Sequence, residues 1–229
     1  MKSASIIIPV FNERDTILSV IDAVKKSDTL GLEKEIILVD DCSTDGTRNK
    51  LENLKIENLK IILSDKNLGK GASVRTGFAV ARGDFIIIQD ADLEYSPTEY
   101  QKLLPPLIRG EAQVVYGSRF LDHPFIFKPY YLANRFLTFL SNLFTGLELT
   151  DMETCYKCFT KEALNKILPT LGANRFDIEP EITAAVSKAK LRIIELPISY
   201  SRRSYADGKK IGFKDGIQAI WTIIKYGLR

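Results

Sequence analysis

Four short aliphatic runs divide the first part of the chain at regular intervals: "SIIIPV" at 5–10, "EIILVD" at 35–40, "LKIILS" at 59–64 and "DFIIIQD" at 84–90. Nearly continuous apolar runs of this kind suit strands buried on both faces, which in a globular domain means a parallel sheet flanked by helices. Helical patterns fill the intervals. Residues 16–26 place Ile17, Val20, Ile21 and Val24 on one face. A Ser43-Thr44-Asp45-Gly46 turn leads into a helix through Leu51 and Leu54, and "KGASVRTGFAVA" covers 70–81. The alternation predicts an α/β fold of the doubly wound kind: a Rossmann-like, mostly parallel sheet with helices on both faces.

Beyond Asp92 the alternation loosens. The patterns predict a helix from Pro97 to about 109, a strand over 112–120 and an amphipathic, aromatic-rich helix over 130–144. Helices over 163–167 and 181–190, a strand over 191–200 and a last helix over 213–226 follow. A basic, glycine-containing loop, "SRRSYADGKKIG", precedes that last helix. No internal repeat or low-complexity linker interrupts the 229 residues, so a single domain is expected over 1–229.

Composition removes several function classes. The formal net charge of +3 is too small to argue for nucleic acid. Cys155 and Cys158 form a lone C-x-x-C, with Cys42 distant and His123 the one histidine. A structural zinc site normally takes four such ligands, so two reduced, half-buried thiols in a cytoplasmic setting are expected instead. The N-terminus runs directly into "ASIIIPV", which predicts no signal peptide. No run approaches the ~20 apolar residues that span a bilayer. The richest segment, 124–147, is interrupted by Lys128, Asn134, Arg135 and Asn142, and is not expected to cross a membrane, though it has the composition to lie on one.

Acids gather where the predicted strands end. The first run leads to Asn12 and Glu13, the second to Asp40 and Asp41, and the fourth to Asp90, Asp92 and Glu94. In open parallel sheets, ligands bind beyond those carboxyl ends. Phosphate loops do not account for the cluster. "PVFNE" lacks the glycines of a dinucleotide fingerprint. "NLGKGASVRTG" has Val74 in place of the third glycine, and it departs from the Walker pattern at Ser64 and Gly71. Alternate carboxylates suit a hard divalent cation, which takes oxygen ligands and often shares them with substrate phosphates. Without a cation, each carboxylate–phosphate pair at ~4 Å would cost about 4 kcal/mol at an effective dielectric of 20. The same acids also suit a strand end and a helix N-terminus, and "DADLE" alone leaves both readings open.

The wider set of motifs carries more. "SIIIPVFNE", "ILVDDCSTDGT", "NLGKGASVRTGFAVARGDFIIIQDADLEYSP" and "VVYGSRF" occur in that order, and "DMETCYKCFTKEAL", "FDIEPEIT" and "YSRRSYADGKKIGFKDGIQAI" continue it. Together they closely resemble family 2 glycosyltransferases of the GT-A fold, in the branch of dolichol-phosphate mannosyltransferase and its prokaryotic relatives. The resemblance covers nearly the whole chain. It implies a nucleotide-sugar-binding half over 1–120 and an acceptor-binding half, with interfacial helices, over 121–229.

The resemblance also implies residue roles. Pro9, Phe11 and Glu13 match the first nucleotide-contacting loop, Val39 and Asp41 the base and ribose site, and Lys70 a position near the donor. Asp90, Ala91 and Asp92 match the D-x-D segment. Asp90, Asp92 and Glu94 are the implied metal ligands for Mn²⁺ or Mg²⁺, with Glu94 standing where many mannosyltransferases have Gln. Asp92, Arg119 and Arg203 form the implied catalytic set. Arg119, Arg135, Arg203 and Lys209 are the implied phosphate binders, for which the planar guanidinium fork is well shaped.

The implied reaction is inverting transfer of mannose or glucose from GDP-mannose or UDP-glucose to a polyprenyl or dolichyl phosphate. A lipid phosphate is largely ionised near neutral pH and needs positioning more than a base. A hydroxyl acceptor would need a carboxylate in reach, and Asp151, Glu153, Glu179 and Glu181 are the candidates. Glu179 and Glu181 equally suit a helix start. A glycan acceptor and a non-catalytic nucleotide-sugar-binding protein remain as alternatives. A sugar-phosphate nucleotidyltransferase would carry a glycine-rich basic loop after the first strand, which "PVFNERD" does not supply. The 130–144 helix puts Tyr131, Phe136, Leu137, Leu140 and Phe144 near one face, which suits core packing. With Arg135 beside it, and Trp221 and Tyr226 on the last helix, it also suits peripheral contact with the cytoplasmic face of a membrane.

Overall fold

The computed structural model describes residues 2–122, 129–201 and 213–227. Strands β1 (Ser3–Val10), β2 (Glu33–Asp40), β3 (Leu59–Leu63) and β4 (Phe85–Ile88) are mutually parallel. They are followed by β5 (Val114–Ser118), β6 (Lys157–Thr160) and β7 (Ile193–Pro197). One sheet holds all seven in the order β3-β2-β1-β4-β6-β5-β7. β6 alone runs antiparallel, to both β4 and β5. The mostly parallel architecture expected from the sequence is therefore present.

The register explains the acid cluster. Ile6, Ile7 and Ile8 are fully buried, as are Ile37, Leu38 and Val39 beside them, so both faces of the central strands are covered. Each such side chain contributes roughly 2 kcal/mol of burial energy. β1 pairs with β4 only as far as Ile7 and Ile88, whereas its pairing with β2 runs on through Pro9–Val39 to Val10–Asp40. Pro9, which cannot donate, thus falls beyond the last β4 pair. The carboxyl ends of β1, β2 and β4 open on one edge.

Helices α1 (Ile17–Lys26), α2 (Thr47–Glu52) and α3 (Lys70–Val80) connect these strands. Buried Ile17, Val20, Ile21 and Val24 are the apolar face foreseen for α1, and Lys25 and Lys26 complement the partial negative charge at its end. α3 enters through Gly69 at φ +104, a conformation L residues rarely adopt. A Cβ on Gly71 would lie 2.6 Å from the Ala173 carbonyl oxygen, and one on Gly77 would lie 2.4 Å from Ile7 Cγ2. The glycines that imitate a phosphate loop serve close packing.

Several sequence expectations are corrected here. The helix expected over 97–109 is a 3₁₀ turn (Pro97–Glu99) followed by α4 (Tyr100–Leu103) and α5 (Pro105–Ile108). Pro105 and Pro106 remove two amide donors in its middle. β6 was not foreseen, because its four residues include a charged lysine and give no clear alternation. α6 (Pro129–Thr145) and α7 (Lys161–Ile167) fall near their expected positions. α8 (Ile178–Lys188) starts before Pro180, which is tolerated in a first turn where its amide would be unpaired anyway. α9 (Phe213–Gly227) packs against α6 and α8. Cys155 and Cys158 are buried rather than half-buried, and the three cysteines are free thiols.

Candidate active site

The loop after β4 carries the acids. Gln89 anchors it from below, accepting hydrogen bonds from the Tyr100 and Tyr156 hydroxyls at 2.7 Å each and donating to the Tyr95 and Asp90 carbonyls. Leu93, between Asp92 and Glu94, holds φ +61. Asn12 and Cys42, in the loops after β1 and β2, also have positive φ. Backbone strain in non-glycine residues thus recurs along the edge where the acids stand, as it does at functional sites.

Lys70, at the start of α3, pairs with Asp90 at 2.8 Å and with Glu179, in the first turn of α8, at 3.1 Å. Burial opposes its charge, but Asp90 first, with Cys155 and Glu179 after it, outweighs that and holds its pKa well above the ordinary value. Asp92 accepts the Glu94 amide at 3.0 Å. Burial, together with the charges of Asp90 and Glu94, pushes its pKa up to about 7. The Tyr200 hydroxyl donates to Glu94 at 2.7 Å, and the Ser201 amide donates to the Glu94 carbonyl.

The expected three-carboxylate cage is not assembled. Among the described residues no group of three acidic, histidine or cysteine side chains is placed to hold a metal ion. Asp90 is paired with Lys70, and Glu94 with Tyr200. The donor set still suits a hard cation that takes one or two carboxylates and completes its shell from a bound diphosphate. The raised pKa of Asp92 reflects burial first and then the neighbouring negative charge, which such a cation would relieve.

Arg119 closes the β5 side. Its Nε and Nη2 each donate to one Asp151 oxygen at 2.7 Å, and its amide donates to the same carboxylate at 3.0 Å. The guanidinium lies 5.3 Å from the Tyr200 ring centroid. Glu195 on β7 holds the Thr150 and Asp151 amides. Arg135, on α6, donates to the Thr150 carbonyl at 3.2 Å, so both arginines address the 150–151 segment. Arg203 and Lys209 lie outside the described residues, as does His123.

The remaining expected residues divide. Pro9, Phe11 and Glu13 fall at or just beyond the end of β1, and Val39 lies buried within β2 opposite Pro9. Glu13 accepts the Thr16 hydroxyl at 2.7 Å. The Asp41 carboxylate accepts the Leu68 and Gly69 amides at 2.8 and 2.7 Å, fixing the approach to α3. Ala91 is buried beside Asp90. Of the candidate bases, Asp151 is saturated by Arg119, and Glu179 bridges Lys70 and the buried Lys157. Glu181 accepts the Gly172 and Ala173 amides and so holds a loop. Glu153 differs. Its Oε1 is buried with no hydrogen-bond partner, and burial, then the Glu179 charge, pushes its pKa to about 7. Tyr200, Gln89 and Lys157 were missed by sequence reasoning, because no spacing pattern marks a tyrosine, a glutamine or an interior lysine that acts through other residues.

α6 keeps its expected packed face except at Phe136, which is exposed. Tyr131 and Leu137 are buried, and Leu140 and Phe144 pack on the core. The exposed stripe is a neighbouring one: Leu132, Phe136, Phe139 and Leu143. Ile217, Trp221 and Ile224 are exposed on α9. Among the described residues no helix is long and apolar enough to cross a membrane.

The fold is that of the GT-A glycosyltransferases. Glucosyl-3-phosphoglycerate synthase from Mycobacterium tuberculosis superposes with a TM-score of 0.75 over 99% of this chain and 78% of that one, at 20% identity. Within that class the chain belongs to glycosyl transferase family 2, whose sequence pattern it matches over residues 5–168. A dolichyl-phosphate beta-glucosyltransferase of Dictyostelium discoideum is 27% identical over 98% of this chain and 74% of its own length. The UDP-N-acetylglucosamine–dolichyl-phosphate N-acetylglucosaminyltransferase of Methanococcus voltae is 30% identical, covering 91% of each chain. An undecaprenyl-phosphate 4-deoxy-4-formamido-L-arabinose transferase of Proteus mirabilis is 25% identical over 91% of this chain and 63% of its own length. The resemblance to the polyprenyl-phosphate branch is borne out by these relatives.

Proposed function

We propose that this glycosyltransferase moves a hexose, mannose or glucose, with inversion from a nucleotide-diphosphate sugar to a polyprenyl phosphate, using Mg²⁺ or Mn²⁺. Residues 1–120 supply the donor side and 121–229 most of the acceptor side of a single domain. The observation that carries the acceptor class is the state of the candidate bases: three of the four, Asp151, Glu179 and Glu181, are committed to other partners, and only Glu153 is not. A phosphate nucleophile needs no base, and the three relatives are named for dolichyl or undecaprenyl phosphate.

In this reading Pro9, Phe11, Glu13, Val39 and Asp41 frame the nucleoside, and Lys70 places positive charge beside the diphosphate. Asp92, with Asp90 or Glu94 as a second carboxylate, would hold the divalent ion, which when bound neutralises the diphosphate and eases its departure. The synthase that shares the fold has been crystallised with UDP and either Mn²⁺ or Mg²⁺. Arg119, fixed by Asp151, and Arg135 receive the acceptor phosphate together with Arg203 and Lys209. Their work is orientation and charge neutralisation.

The exposed apolar stripes of α6 and α9 would rest on the cytoplasmic membrane face that holds the acceptor. Flotation with anionic liposomes tests that contact, and protein left wholly in the soluble fraction contradicts it. A second reading has its own observation in Glu153, whose raised pKa suits a general base for a hydroxyl acceptor. Solvent extraction after incubation with labelled donor and a polyprenyl phosphate decides between the two. Label in the lipid phase supports the first. Label confined to a water-soluble glycoside supports the second.

A further inference from the structure

Lys157 on β6 is fully buried, and its amino group is fully partnered. Its ammonium donates to the Met152 carbonyl at 2.9 Å, to the Thr154 carbonyl and to the Glu179 carboxylate. It also lies 4.7 Å from the Tyr116 ring centroid, over a ring whose hydroxyl meets Thr183 of α8 at 3.0 Å. The second Glu179 oxygen is 3.1 Å from Lys70, and Lys70 is 2.8 Å from Asp90. Four charges of alternating sign, Lys157, Glu179, Lys70 and Asp90, therefore run from the interior of the sheet to the acidic loop.

Stability alone is a poor reason for this arrangement. A buried ion pair is often no better than an apolar pair of the same volume, because desolvation offsets the attraction. Lysine is a compact charge on a flexible stem and holds no fixed position unless its partners impose one. Glu179 gives Lys70 a second anchor opposite Asp90. Lys157 in turn keeps Glu179 from being drawn wholly to Lys70, and its two carbonyl contacts fix the 152–154 segment beside it.

We propose that the buried Lys157–Glu179 pair is a positioning device that fixes the Lys70 ammonium for the donor diphosphate. The pair acts through Lys70 and does not touch the donor. The inference rests on the reading of Lys70 as a donor-side residue.

The test compares the wild-type chain, Lys157→Met and the charge-balanced Lys157→Met/Glu179→Gln variant. Each is titrated with GDP and with UDP, with and without Mn²⁺, by calorimetry, and each is melted. The expected result is a folded double variant that binds the preferred nucleotide at least tenfold more weakly than wild type. Lys157→Met, which leaves Glu179 without its buried counter-charge, is expected to be weaker still. A double variant that folds and binds as wild type overturns the proposal, since the pair would then be a structural filler. A double variant that does not fold also overturns it, since Lys157 and Glu179 would then serve folding itself. If the wild-type chain binds neither nucleotide, the donor-side reading fails, which is distinct from failure of the pair's role.

Discussion

The hydroxyl of Tyr200 donates to Glu94 at 2.7 Å, tying the end of the 129–201 stretch to the acidic loop after β4. The same ring packs 5.3 Å from Tyr95 and 5.3 Å from the Arg119 guanidinium. One side chain thus joins the donor-side acids to the arginine assigned to the acceptor. Tyr200→Phe keeps the ring contacts and removes only the hydrogen bond, about 1 kcal/mol. The expected outcome is a fall of about 2–4 °C in melting temperature and a loss of kcat/KM beyond what that small destabilisation explains, checked by calorimetry and label transfer.

Arg119 and Asp151 are nearly inaccessible, with side-chain exposures of 10% and 0%. Arg119→Lys retains the charge but not the two-pronged fork, and leaves an Asp151 oxygen short of a partner. A loss of about 1–3 kcal/mol in urea unfolding is expected, with transfer activity reduced further because the 150–151 segment is no longer held. An Arg119→Lys protein of wild-type stability would contradict this account of the bridge.

Glu153 predicts a pH dependence of stability. Its folded pKa of about 7 lies above the ordinary carboxylate value of 4.5. Between those values the native state keeps a proton that the unfolded chain has lost, so stability falls as pH rises through that window and levels off above it. The full penalty is on the order of 3 kcal/mol. Glu153→Gln should make the fall between pH 5 and 7 shallower when unfolding free energies are compared, leaving the part that the raised pKa of Asp92 contributes. If the acceptor is a lipid phosphate, the same variant should keep most of its transfer activity. If the acceptor is a hydroxyl, activity should drop by two or more orders of magnitude, the scale of general-base catalysis.

Gly71 packs α3 against the 172–175 segment, where the Ala72 amide donates to the Asn174 carbonyl at 3.0 Å. A Cβ there would meet two backbone oxygens, at 2.6 and 2.9 Å. Gly71→Ala is expected to cost about 1–3 kcal/mol as overpacking, at about 2–4 °C of melting temperature per kcal/mol in a chain of this size. Thermal unfolding checks it.

The parallel half of the fold was legible because β1, β2 and β4 each hold an unbroken apolar run, at 6–8, 36–39 and 85–88, and because α1 carries a periodic apolar face. β6 was not, since a strand of four residues with a charged lysine has no sequence pattern; only its pairing with β4 and β5 makes it one. The site was legible as a set of residue types at strand ends. Its partnerships were not. Asp90 and Lys70 are 20 residues apart, and Arg119 and Asp151 are 32 apart. Sequence marks the members of such pairs without showing that each already has a partner. Asp151, Glu179 and Glu181 were candidate bases for that reason, and the structure gives all three other work. The aromatic helix shows the same limit: its packed and exposed faces are adjacent stripes of similar composition, and only burial distinguishes them.

The most direct test of the central claim is transfer of label from GDP-mannose and from UDP-glucose to a polyprenyl phosphate, with Mn²⁺ or Mg²⁺ and with chelator. The account predicts labelled lipid from one of these donors, abolished by chelator and restored by added metal. Intact donor binding with no labelled lipid, or lipid labelling indifferent to chelator, would contradict it.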